Sequence, residues 1–219
     1  MNNNKNLAFC GIIGGILMML ANILANTGPG MTGEIPDPGW LLLPPLLCGI
    51  TEILALLGTV GYLAGWISLL RMIQKTSNRK LLHLAMVSAF GIVGMPLFHE
   101  NISCIEPIVY QVLSQGQLVN LYSVFNSIVI HIFLPIDLLI ILAFYCQLFA
   151  LILGIMSGQI VIKKGLIFFT PVTGLILSVI LWITLPGAIK GIGLGIRNLS
   201  EGLMYLIPLY YWKEVYIEV

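Results

Sequence analysis

Apolar residues in this chain come in long runs that short polar stretches separate. About 20 apolar residues in a helix cross a hydrocarbon core of about 30 Å. The sequence therefore predicts six transmembrane helices, at residues 7–26, 46–72, 81–99, 136–158, 165–186 and 197–213. The apolar and polar residues do not alternate, as they would in a transmembrane β-barrel. We expect an all-α, polytopic transmembrane bundle in which residues 1–219 form a single domain.

The first and last runs need separate comment. The run at 7–26 is longer than the apolar core of a signal peptide, which has about 7–15 residues, and we expect it to be an uncleaved span. The last run is the weakest, because Gly191, Gly193 and Gly195 loosen its start and Pro208 kinks it.

The segment between the third and fourth spans, residues 100–135, leaves two topologies open. Its stretch "LYSVFNSIVIHIFLP" (121–135) is apolar enough to enter the membrane, and a complete crossing would make seven spans. A seventh span would place Lys163 and Lys164 on the opposite side and weaken the asymmetry of positive charge. The sequence therefore favours an outer helical cap over 100–135.

The positions of Lys and Arg predict the orientation of the chain. Cytoplasmic loops of membrane proteins carry an excess of these residues. With six spans, eight of the ten positive residues fall on one side, and Lys190 and Arg197 fall on the other. We therefore expect a multi-pass protein of the cell membrane with cytoplasmic N- and C-termini. The eight are Lys5, Arg71, Lys75, Arg79, Lys80, Lys163, Lys164 and Lys213.

Composition supports the same class of protein. The chain is 58% hydrophobic and 9% charged, whereas an average soluble domain is about 25% charged. The net charge of +1 and the lack of a basic patch give no sign of a nucleic-acid partner. The lipid bilayer is the expected partner, and the sequence does not identify partner subunits.

Polar residues recur near the outer ends of several predicted spans, which is unusual in so apolar a chain. Ionisable residues within spans almost always face the bundle interior or a water-filled cavity. The sequence therefore predicts an outward-facing polar pocket under the cap, suited to a small or lipid-like ligand. The candidate pocket residues are Asn22, Glu52, His99, Glu100, His131, Asp137, Asn198 and Glu201.

Several acidic residues also have simpler explanations. Asp137 follows Pro135 and could cap the start of a helix, and Glu201 near the start of the last span could do the same. Glu106 is expected to be a solvated loop residue. Glu52 lies too far along its helix to be a cap, although it could form a structural ion pair with Arg197 or Lys190.

Three classes of function fit this constellation, and the catalytic residues, if any, stay unknown. A binding protein is favoured, because the chain lacks catalytic motifs and the inverted repeats of transporters. A lipid-modifying enzyme would use Glu52 and His99 as an acid–base pair. A structural or protective subunit would use the polar residues to join helices. His99, Glu100, Cys104 and Glu106 match no metal-site spacing, so we expect neither metal nor cofactor.

Two small-residue segments, "GIIGG" (11–15) and "GTVGYLAG" (58–65), predict close approach between helices. The second span continues as "GTVGYLAGWISLLRMI", the third ends in "PLFHE" and the last opens with "GIRNLSEGLMYLI". In these segments the chain resembles a family of six-span bacterial membrane proteins of unknown function. The resemblance implies the fold and no activity. His99 and Asn198 match its pattern, whereas Asn22 stands where that family is expected to have an acidic residue.

Overall fold

The computed structural model describes residues 2–32, 37–100, 104–116, 120–162 and 164–214, and every regular element in these ranges is helical. Short 3-10 helices at Pro38–Leu42, Lys164–Phe169 and Gly187–Ile189 lie in the connections. The α-helices are α1 (Asn2–Asn26), α2 (Pro45–Gln74), α3 (Arg79–Glu100), α4 (Glu106–Gln115), α5 (Leu121–Ile128), α6 (Leu134–Met156), α7 (Pro171–Thr184), α8 (Gly191–Leu203) and α9 (Leu206–Glu214).

Five helical segments are long and apolar enough to cross a membrane. They are Asn3–Asn26, Pro45–Gln74, Arg79–His99, Leu121–Met156 and Gly165–Thr184, and each overlaps one of the first five predicted runs. Large apolar side chains cover their outer faces: Leu56 is 53% exposed, Phe90 66% and Phe149 56%. Apolar faces of this kind are compatible with a lipid environment.

The sixth predicted run, 197–213, is not one helix. It is divided between α8 and α9 by a turn at Met204–Tyr205. The ring of a proline clashes with the carbonyl four residues before it, which for Pro208 is that of Met204. Met204 O instead accepts a hydrogen bond from Ile207 N, three residues on, at 3.1 Å. The division therefore follows from Pro208.

The fourth predicted span is longer than the sequence indicated. The helix is continuous over 36 residues, Leu121–Met156, or about 54 Å at 1.5 Å per residue. A π-helical segment, Val129–Phe133, joins α5 to α6 directly before Pro135. The wider turn accommodates a proline ring that would crowd the preceding turn of a regular helix. The prediction placed the start of this span at residue 136, whereas the helix continues back to Leu121.

In the segment predicted as a cap, the structure describes the helices α4 and α5, and residues 101–103 and 117–119 lie outside the described residues. Here "the cap" denotes α4, α5 and the 3-10 helix Pro38–Leu42. A small aromatic core holds these elements together: the ring centroid of Phe125 is 5.8 Å from that of Trp40 and 5.4 Å from that of Tyr110. Gln111 Nε2 donates to Leu43 O at 3.3 Å, which attaches α4 to the start of α2.

Glycines set the closest helix contacts in the bundle. α1 packs against α2 and α8, α3 packs against α2 and α6, and α7 packs against α8. A Cβ on Gly14 would lie 2.6 Å from Gly58 O, and a Cβ on Gly15 would lie 2.4 Å from Gly202 Cα. The close approach predicted from "GIIGG" is confirmed. α1, α3 and α7 end, and α2, α6 and α8 begin, at the cap end of the bundle.

Candidate functional site

A cavity of about 330 Å³ lies at the cap end, between the cap and the helix ends. This volume is within the range of small-molecule sites, about 300–1,000 Å³. The walls are mainly apolar, whereas the sequence predicted a polar pocket. The described lining residues are Asn26, Met31, Asp37, Trp40, Phe98, Glu106, Val129, Leu134, Asp137, Leu138, Ile141, Trp182, Lys190 and Leu194. We call this space the cap cavity.

Two carboxyl groups from different elements face the cap cavity. Glu106 begins α4, and Asp137 lies on α6; they are 4% and 6% exposed. Burial, and then the negative charge of Asp137, raise the pKa of Glu106 to about 7. Among the residues that the structure describes, none donates a hydrogen bond to the Glu106 carboxyl group. The described part of the chain therefore leaves the hydrogen-bonding capacity of this carboxyl group to the cavity.

The capping explanation for Asp137 is wrong. Helical conformation is continuous from Leu121, so Asp137 lies well inside a helix and no free N-terminal N–H groups surround it. Asp137 also lines the wall of the cap cavity.

Asp37 has a structural task at the cavity rim. Its Oδ1 accepts a hydrogen bond from Gly39 N at 2.9 Å, and its Oδ2 accepts one from Thr32 N at 2.9 Å. Asp37 thereby caps the 3-10 helix that carries Trp40 into the wall. This use of a carboxylate as a helix cap is common.

Lys190 is the one basic residue among the described lining residues. Its Nζ lies 5.3 Å from the centroid of the Trp182 ring, in the geometry of a cation–π contact. Acidic side chains thus outnumber basic ones in the described wall.

A second group of polar residues lies deeper in the bundle, centred on Glu201 of α8. This side chain is 1% exposed. Tyr145 Oη donates to Glu201 Oε1 at 2.8 Å, and Tyr62 Oη lies 3.4 Å from Oε2. Arg197 Nε lies 3.5 Å from Oε1 as an ion pair one turn away. These contacts join α8 to α2 and α6.

Asn198 joins α8 to two further helices. Its Nδ2 donates to Met18 O of α1 at 3.1 Å and lies 3.4 Å from His99 Nε2 of α3. Tyr62 Oη donates to Asn198 O at 3.0 Å. We call these contacts of Glu201, Arg197 and Asn198 the α8 network. It links α8 to α1, α2, α3 and α6, as expected for polar residues that join helices.

The candidate residues thus divide into separate places. Asp137 lines the cap cavity, whereas His99, Asn198 and Glu201 belong to the α8 network. Asn22 is buried on α1, where its backbone carbonyl accepts a hydrogen bond from Asn26 Nδ2. His131 is exposed, and its Nδ1 lies 2.8 Å from Ser127 O of its own helix. The side chain of Glu100 lies outside the described residues.

The predicted acid–base pair is not assembled. Glu52 is half-buried on α2, and the contacts of His99 are with Asn198 and the neighbouring Phe98 ring. Arg197 pairs with Glu201 and Lys190 contacts Trp182, so neither forms the ion pair considered for Glu52. In the described ranges, no group of three metal-ligating side chains occurs.

Sequence reasoning missed Glu106, which is buried in the cavity wall and is not a solvated loop residue. A signal for it was present. Val109, Tyr110 and Leu113 pack into the core of the cap, and position 106 shares their helical face at spacings of three, four and seven. The burial of α4 on that face carries Glu106 inward.

Five of these helices are long and apolar enough to cross a membrane, which is consistent with a multi-pass α-helical membrane protein. The chain belongs to a family of unknown function, DUF6796, whose model matches residues 1–215. No curated protein and no solved structure matches the chain.

Proposed function

We propose that this protein of the cell membrane binds a small or lipid-like ligand in the cap cavity. The observation that carries the proposal is the make-up of that cavity: about 330 Å³ with mainly apolar walls and, among the described lining residues, three buried carboxyl groups. Ligand sites typically combine apolar walls with a few polar groups that fix orientation. An apolar chain against the walls and a polar head near the carboxyl groups would satisfy both parts.

The topology we propose has six spans, with α8 and α9 together forming the sixth. Both termini then lie in the cytoplasm and the cap lies outside. The asymmetry of Lys and Arg supports this orientation. The cap cavity would therefore open toward the outer leaflet, where a lipid-like ligand has access to it.

The other two functions are less well supported. A lipid-modifying enzyme would need an acid–base pair, and Glu52 and His99 do not make contact. A structural role suits the α8 network, which joins five helices; we assign that role to His99, Asn198 and Glu201 within the bundle. A structural role does not explain the cap cavity or the carboxyl groups that line it.

Native mass spectrometry of the gently purified protein tests the proposal. Ile141→Trp fills the cavity, and Leu139→Trp places the same ring on the lipid-facing side of the same helix, where Leu139 is 62% exposed. We expect an adduct of lipid or small-molecule mass on the wild type and on Leu139→Trp, and its loss from Ile141→Trp. A bare protein, or an adduct that a folded Ile141→Trp retains, would contradict the proposal.

A further inference from the structure

We propose that the ligand of the cap cavity carries an ammonium head group, which Glu106 and Asp137 hold where the cap meets α6. This inference rests on the proposed function and names the chemistry of its ligand. A single-chain amine and an ethanolamine phospholipid share this chemistry.

The balance of charge in the cavity wall favours a cation. Glu106, Asp137 and Asp37 are the described acidic residues of the wall, and Lys190 is the basic one. The backbone N–H groups of Thr32 and Gly39 already neutralise part of the Asp37 charge. A buried carboxylate is costly unless a cation or a hydrogen-bond donor accompanies it. An ammonium group beside Glu106 would supply both to this carboxyl group and would relieve its repulsion by the charge of Asp137.

The burial and hydrogen bonding of Glu106 support a cation independently of the balance of charge in the wall. Glu106 is only 4% exposed and lines the cavity, and no described residue donates a hydrogen bond to its carboxyl group. An ammonium group offers the donors that Glu106 lacks, and charge-assisted hydrogen bonds are about twice as strong as neutral ones. A carboxylate head group at this place would meet like charge.

Aromatic rings in the wall favour the same head group. Trp40, Phe98 and Trp182 all line the cavity. Trp182 already attracts an ammonium, because Lys190 Nζ lies 5.3 Å from its ring centroid. Ring faces in a desolvated site attract ammonium groups by cation–π interaction.

Quenching of Trp40 fluorescence tests the charge of the head group. Trp40 is 4% exposed, so a quencher must enter the cavity to reach it. Trp66, Trp182 and Trp212 are replaced by phenylalanine, which leaves Trp40 as the reporter and keeps an aromatic ring at position 182. The probes are undecyl chains with bromine at the far end and an amine, an alcohol or a carboxylate as head group.

The amine should quench Trp40 at about tenfold lower concentration than the alcohol, with the carboxylate weakest. Glu106→Gln and Asp137→Asn should each bring the amine within about twofold of the alcohol and leave the alcohol unchanged. Glu52→Gln is the matched control, because Glu52 is an acidic residue outside the described cavity wall, and it should keep the preference for the amine.

Different failures are distinguishable. If the alcohol or the carboxylate quenches as well as the amine, the ammonium inference is wrong and the proposed function stands. If no probe quenches Trp40, the proposed function itself is wrong. The mass of an adduct on the native protein separates the two sources, and an adduct that contains no amine would overturn the inference.

Discussion

Gly15→Ala tests the contact that holds α1 against α8. The added Cβ would lie 2.4 Å from Gly202 Cα and 2.8 Å from Gly202 N, whereas ordinary Cβ contacts begin at 3.4 Å. Both neighbours are backbone atoms, so no side chain can rotate away. The two helices must therefore separate by about 1 Å at a contact as tightly packed as the rest of a protein interior.

The expected loss of stability follows from that separation. Overpacking of a well-packed contact costs about 1–3 kcal/mol. The same movement stretches the 3.1 Å hydrogen bond from Asn198 to Met18 O, and an interhelical hydrogen bond in a membrane protein is worth about 0.6–2 kcal/mol. Alanine offsets about 0.5–1 kcal/mol of this loss of stability, because it loses less backbone entropy on folding than glycine does. We expect a net loss of about 2 kcal/mol.

Gly49→Ala is the control for this substitution. Gly49 lies on α2, and a Cβ there would meet nothing within 4 Å. The backbone term alone should stabilise this variant by about 0.5–1 kcal/mol. Denaturation of both variants in detergent micelles measures the difference, which should be about 3 kcal/mol. A Gly15→Ala protein as stable as Gly49→Ala would show that α1 and α8 are not packed as described.

Three further predictions concern charge, the α8 network and topology. The pKa of Glu106 is raised from 4.5 to about 7, so the contribution of this group to the free energy of unfolding is complete below pH 4.5 and is lost as the pH rises through about 7. The delipidated protein should therefore be less stable at about pH 8 than at about pH 5, by up to about 3 kcal/mol. Glu106→Gln should remove this dependence in denaturation curves. Tyr145→Phe should cost about 1–2 kcal/mol, and clearly less when Glu201 is already glutamine; an additive double-mutant cycle would contradict the 2.8 Å contact. With the native thiols replaced by serine, a membrane-impermeant thiol reagent should label Gln115→Cys in intact cells and Gln74→Cys after lysis, and the reverse pattern would invert the proposed orientation.

The sequence predicted the spans well where an apolar run is uninterrupted, because length and hydropathy alone decide whether a helix can cross a bilayer. It placed the ends of elements less well near proline. Pro135 follows a π-helical turn within a continuous helix, whereas α8 ends at Leu203, five residues before Pro208. A wider turn accommodates the first ring, and a complete break accommodates the second. That choice depends on what packs around each turn, which the local sequence does not contain.

Of the predicted candidate residues whose side chains the structure describes, Asp137 alone lines the cap cavity. Depth along a span follows from residue number, so several polar residues could be placed near the cap end. The direction in which a side chain points depends on the rotation of each helix, which packing decides. Asp137 and Glu201 carry the same carboxylate at similar predicted depth, yet one faces the cap cavity and the other the centre of the bundle. Glu106 was missed because its depth was judged without the helical face that buries it.

The hydrogen bond between Met18 and Asn198 joins residues 180 positions apart. A ribosome delivers α1 to the bilayer long before α8, since chains are made at about 5–20 residues per second. During that interval the Gly15 face of α1 contacts lipid or an insertion chaperone. Met18 O cannot yet accept its hydrogen bond, because Asn198 has not been made. A chain that stops before α8 would keep this face uncovered, and it should be recognised and degraded as an orphan by membrane proteases.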